Sequence, residues 1–215
     1  MNIRVTATLL CAAVVICGGA AMALPTIANP SFEGDGDTFG VPGYGDIPSW
    51  TNDSASSGIA SDNDGGFGHG AGTAPDGTYF AFQQGPGTIS QELTDDLTDG
   101  VRYAVTFHAR ERESYDPVNL TVLVGNKVVH HAPNFNPGGW QEITARFWYE
   151  DGQGTTLAFE SESATGEDAA LLLDNVQIRS SEPGEGMPAA NVVALSLLAL
   201  AVGAAGIANA RRKRA

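Results

Sequence analysis

An all-β, two-sheet jelly-roll β-sandwich is the fold that the middle of this 215-residue sequence predicts. Three observations carry that prediction. Apolar and polar residues alternate with period two in one segment after another, Gly, Asn and Pro turns cut the segments at short intervals, and helical spacing of apolar residues is nearly absent.

The segments follow one another in order. Gly77 to Gln83 and Thr88 to Leu93 read as strands separated by the turn Gly85-Pro86-Gly87. From Tyr103 the set Tyr103, Val105, Phe107 and Ala109 faces one way while Ala104, Thr106, His108 and Arg110 face the other, as a half-buried strand demands. Leu120, Val122 and Val124 run into Gly125-Asn126, and Val128 and Val129 begin the return, which is a hairpin pattern. Ile143, Ala145, Phe147 and Tyr149 form the next inward set, closed by the turn Asp151-Gly152. Thr155 to Glu160 and Leu171 to Ile178 complete about seven or eight strands, the number a sandwich or jelly roll uses. Gly34 to Gly72, rich in Gly, Asp and Ser with isolated aromatics, reads as a long loop, and loops of that length in a compact domain tend to be functional.

The two ends read differently. Residues 1 to 23 carry Arg4, an apolar run from Ala7 to Val15 and small residues ending in Ala21-Met22-Ala23, the layout of a cleaved secretory signal peptide. Export follows, and the sandwich is expected over residues 24–180. Both cysteines, Cys11 and Cys17, fall inside that signal, so the exported chain has no disulfide and relies on its core, its hydrogen bonds or a bound ion. Residues 181–188 read as a turn-rich spacer containing Glu182-Pro183-Gly184. Residues 189–215 read as an apolar helix of membrane-spanning length, Ala189 to Ala208, followed by the cluster Arg211-Arg212-Lys213-Arg214, either a sorting signal or a membrane anchor.

Charge sharpens the division. The whole chain has net charge −14, but all 25 acidic residues lie between Glu33 and Glu185 with only six basic ones, so the exported part stands at −19. A field of that sign, with no basic stripe in the sequence, argues against nucleic acid as a partner. It suits a cation-rich exterior and also serves plain solubility.

Six fragments in order carry a family resemblance. They are Asn29-Pro30-Ser31-Phe32-Glu33, Ile47-Pro48-Ser49-Trp50, Gly87-Thr88-Ile89-Ser90-Gln91-Glu92-Leu93, Gly100-Val101-Arg102-Tyr103, Gly139-Trp140 and Leu172-Leu173-Asp174-Asn175-Val176. Together they resemble the galactose-binding-like jelly rolls, in particular carbohydrate-binding modules of the CBM4/9 kind, over residues 27 to 179. The tail resembles the PEP-CTERM type of bacterial sorting signal. That likeness implies a membrane transpeptidase of the exosortase class as partner and a cell-envelope or extracellular location.

The resemblance implies a structural calcium held by Glu33 and Asp174, one acid from the first strand and one from the last. Asp174 shares parity with Val176 and Ile178, which points it inward, where a cation would offset the cost of a buried carboxylate. The alternative is that Asp174 accepts backbone hydrogen bonds at the sandwich edge. Asp35-Gly36-Asp37 and Asp62-Asn63-Asp64-Gly65 read as turn chemistry. Catalysis has no motif behind it: no G-x-S-x-G, no H-E-x-x-H and no P-loop occur, so a non-catalytic protein is expected.

Sugar binding needs a flat aromatic face with planar hydrogen-bonding groups beside it. Arg110, Tyr115, Trp148 and Tyr44 are the candidates, with Trp50 and Trp140 assigned to the core. The expected function is polysaccharide binding by an exported module. The rival is a structural or adhesive surface protein that binds protein partners.

Overall fold

The computed structural model describes residues 25–33, 43–53, 55–61, 66–67, 72–93 and 97–181. The segments read as signal peptide, spacer and apolar tail, and those read as acidic turns at 35–37 and 62–65, lie outside the described residues.

Ten strands occur among the described residues: β1 (Gly43–Tyr44), β2 (Ser57–Ser61), β3 (Tyr79–Gln84), β4 (Gly87–Glu92), β5 (Arg102–Glu111), β6 (Val118–Val124), β7 (Lys127–Phe135), β8 (Gln141–Trp148), β9 (Thr156–Ser163) and β10 (Ala170–Ser180). They form two antiparallel sheets, one in the order β1-β2-β3-β10-β5-β8 and the other in the order β4-β9-β6-β7. The eight segments expected from alternation are β3 to β10. Gly125 turns the β6–β7 hairpin with φ +58°, and a Cβ there would overlap the Gln153 carbonyl, so glycine is required.

The core lies between the sheets. Phe107 of β5 packs edge-on against Phe159 of β9 at 5.0 Å, Trp50 lies 6.2 Å from Phe159, and Phe32 lies 5.2 Å from Trp50. This aromatic column ties both sheets to the N-terminal segment. His130 turns inward toward Phe107, and burial, helped by the charge of His131, pushes its pKa down.

Sequence and structure part at three places. The segment read as a long loop contains β1 and β2. All five residues of β2 are buried, so the alternation that marks a strand covered on one face is missing. A second apolar cluster, of Phe67, Phe80, Phe82, Ala170 and Leu172 among others, covers the outer face of the six-stranded sheet. Trp140 belongs to that cluster rather than to the core between the sheets, with its ring 5.5 Å from Phe80.

Candidate functional site

Glu33 and Asp174 come to one corner, on either side of the loop before β3. Glu33 accepts hydrogen bonds from the backbone amides of Thr78 and Tyr79, both at 2.6 Å. Asp174 accepts from the amide of Asp76 at 2.8 Å and from that of Asn175 at 2.7 Å, and Val176 donates its amide to the Pro30 carbonyl at 2.8 Å. The backbone acceptor role considered for Asp174 is therefore present.

The parity argument for Asp174 needs correcting. The β10–β5 register shifts between Asp174 and Gln177, and Asn175 takes φ +50° there. Asp174 is thus opposite His108 and in step with Leu172, on the outer face of its sheet, while Val176 returns to the core. It is nevertheless 0% exposed.

Burial pushes the Asp174 pKa up to about 7, the Asp76 and Glu33 charges adding to the rise and the two backbone amides opposing it. A buried carboxyl within the field of two more carboxylates is a hard oxygen donor short of positive charge, a condition that a cation such as calcium would relieve. Among the described residues no three His, Cys, Asp or Glu side chains gather as a metal cluster, so backbone carbonyls and water would complete the shell. Phe32, fully buried, holds φ +56°, a strained conformation for an aromatic residue, and it sits immediately before Glu33.

Gly77 lies against this corner with φ +83°, and a Cβ on it would overlap the Glu33 carboxylate. Gly77→Ala should lower stability by about 1–2 kcal/mol from the backbone alone and weaken any calcium-dependent rise in melting temperature. Melting curves with calcium and with chelator measure both effects.

The four residues expected to bind ligand do not form one site. Tyr44 packs edge-on against Phe82 at 5.1 Å and Phe67 at 5.8 Å, and its hydroxyl meets Gln84. Gln84 Nε2 donates to Asp168 at 2.9 Å, and Asp168 lies 3.7 Å from Arg112. The Arg112 guanidinium sits over the Tyr115 ring at 3.7 Å and over Phe67 at 4.6 Å. Tyr44 and Tyr115 are therefore joined through Arg112 and Phe67 in a clamp on the outer face of the six-stranded sheet. Arg110 is only 2% exposed and donates from Nε to the Glu111 carbonyl at 2.9 Å. Trp148, 57% exposed, is paired with Arg102, eight residues before Arg110 along β5 and so roughly 25 Å away.

Sequence reasoning missed a groove on the other sheet. A concavity of about 410 Å³ crosses the outer face of β4, β9, β6 and β7. Thr88, Glu160, Thr121 and His131 stand in one cross-strand row there, with Glu162 opposite Asn119 in the next. His131 Nδ1 and Thr121 Oγ1 are 3.0 Å apart. The side chains of Thr88, Glu160 and Glu162 have no hydrogen-bond or ion-pair partner among the described residues. Alternation along β6 and β9 was the available signal, because it places these polar residues on one outward face.

The HpiC1-like family model, described as HpiC1 cyclase, matches residues 23–179. The chain belongs to the HpiC1-like family. No curated protein matches it. Solved structures similar to this HpiC1-like chain include the CBM22-1 xylan-binding domain from Paenibacillus barcinonensis Xyn10C, at 21% identity over 70% of this chain and 90% of that one, TM-score 0.45. TmCBM61 in complex with β-1,4-galactotriose is similar at 17% identity over 72% and 97%, TM-score 0.46. The K2 cleaved adhesin domain of Lys-gingipain is similar at 14% identity over 76% and 100%, TM-score 0.45.

Proposed function

We propose that this HpiC1-like chain is a non-catalytic, exported binding module that seats a polysaccharide in the groove of its four-stranded sheet and is stabilised by calcium at Glu33 and Asp174. The observation that carries the reading is the groove itself, about 410 Å³ lined from every strand by hydroxyl, amide, carboxylate and imidazole groups. Free carboxylates accept paired hydrogen bonds from vicinal hydroxyls, and the neighbouring Thr88, Thr121 and Asn119 both donate and accept. The Tyr44–Arg112–Tyr115 clamp supports a structural role better, since its polar groups already satisfy one another. Its location at the cell envelope, by way of the tail at 189–215 and an exosortase-class transpeptidase, belongs to the same proposal.

Affinity electrophoresis of the full-length protein through gels containing neutral polysaccharides, xylan and galactan among them, tests the binding. Retention that falls about tenfold, or about 1.4 kcal/mol, in Glu160→Ala and Thr121→Ala with unchanged melting temperature is the expected result. No retention by any neutral polysaccharide, with self-association instead, would favour the structural or adhesive rival.

The family's description supports a second reading, a cyclase acting on a small molecule. Calcium and proton transfer compete for the same carboxyl, because Asp174 cannot ligate a cation and donate a proton at once. Ring-closed product from candidate substrates, formed by the wild type and lost in Asp174→Ala, would decide for the enzyme.

A further inference from the structure

A patch on the outer face of the six-stranded sheet carries the opposite charge to the rest of the domain. Arg179 of β10, Ala104 of β5 and Arg146 of β8 stand in one cross-strand row, and Arg102 and Trp148 stand beside each other in the next. Neighbouring strands lie about 4.8 Å apart, so Arg179 and Arg146 flank the small Ala104 at about 10 Å. None of the three arginines forms an ion pair among the described residues, in a region with net charge −19. Trp148 is the most exposed large apolar side chain among the described residues. The row beyond, Gln177, Thr106 and Thr144, continues the face with amide and hydroxyl groups.

We infer that this patch binds an acidic polysaccharide, one carrying carboxylates on its sugar rings. Guanidinium groups pair with carboxylates through two parallel N–H···O bonds, and here three of them have no ion-pair partner among the described residues. Trp148 supplies the flat ring against which the C–H face of a pyranose packs. A linear polyanion touches only the patch, whereas an anionic bilayer would meet the surrounding acidic surface as well. Charge complementarity therefore selects the chain-like partner. This site is separate from the acidic groove on the opposite sheet, which would repel the same ligand.

The test uses the full-length protein with polygalacturonate, with neutral xylan and with vesicles of phosphatidylglycerol and phosphatidylcholine. Polygalacturonate binding should weaken at least tenfold in Trp148→Ala and in the Arg146→Ala/Arg179→Ala double variant, with melting temperature unchanged. Raising ionic strength from about 0.05 to about 0.5 M should weaken it as well. Glu160→Ala should leave it intact, which separates this site from the groove. Absence of polygalacturonate binding, binding that survives both patch variants, or patch-dependent binding to anionic vesicles alone would each overturn the inference.

Discussion

Removing calcium should lower the melting temperature of this protein by about 10 °C, and Glu33→Ala or Asp174→Ala should abolish the difference. An ion bound only to the folded state at about a thousand times its dissociation constant contributes about 4 kcal/mol, and each kcal/mol moves the midpoint of a domain this size by about 2–4 °C. The pH dependence is more specific. The Asp174 carboxyl is raised from 3.8 to about 7 in the metal-free fold by burial, with Asp76 and Glu33 adding to it. The unfolded chain therefore releases this proton first. The contribution of this carboxyl is fully present below about pH 4 and falls away as pH rises towards 7, by an amount on the order of 4 kcal/mol at about 1.4 kcal/mol per pKa unit. Calcium requires the carboxylate, so the stabilisation it adds should grow over that same interval. His130 acts in the other direction, since its lowered pKa makes folding weaker as pH drops. Comparing wild type with Asp174→Ala in chelator at pH 5 and pH 8 cancels that contribution. A pH-independent difference between the two would overturn the raised Asp174 pKa, and identical melting with calcium and chelator would remove the cation from this corner.

Alternation is clearest in strands with only one face covered. β5, β6, β8 and β9 show inward apolar residues alternating with outward polar ones, and each was expected within a few residues of its observed bounds. β2 was not, because both its faces are buried and Ser57, Gly58 and Ala60 carry no contrast to read. Segments far apart in the chain meet through Gln91, whose side chain bonds the Ala28 amide and carbonyl and the Ser49 carbonyl. Trp50 adds a bond from its indole to the Asn29 carbonyl at 3.0 Å. The pairings of Gln91 span 63 and 42 residues and that of Trp50 spans 21, and local periodicity contains no trace of them. The bulge after Asp174 is equally hidden. One extra residue reverses parity, so the carboxyl lies on the outer face of its sheet, within the field of the Glu33 charge, instead of entering the core. The groove and the basic patch depend on which outward rows become neighbours, and strand order, not sequence, decides that.

Truncation of Phe159 should produce the second large effect. Its ring is fully buried and lies 5.0 Å from Phe107 and 6.2 Å from Trp50, so Phe159→Ala opens a cavity where both sheets and the N-terminal segment converge. The expected loss is about 3–5 kcal/mol, read as a shifted denaturation midpoint with unchanged slope in urea. Phe159→Leu, which refills most of the volume, should cost much less, about 1.5 kcal/mol or under. The column continues from Trp50 to Phe32, and Phe32 sits beside Glu33 with its backbone held at φ +56°. A strained conformation persists only while its surroundings enforce it. Phe159→Ala should therefore also reduce calcium affinity, although no atom of Phe159 is a ligand. Phe159→Leu should restore that affinity as it restores stability. Calcium binding that is indifferent to both variants would mean that the corner holds its geometry without the aromatic column.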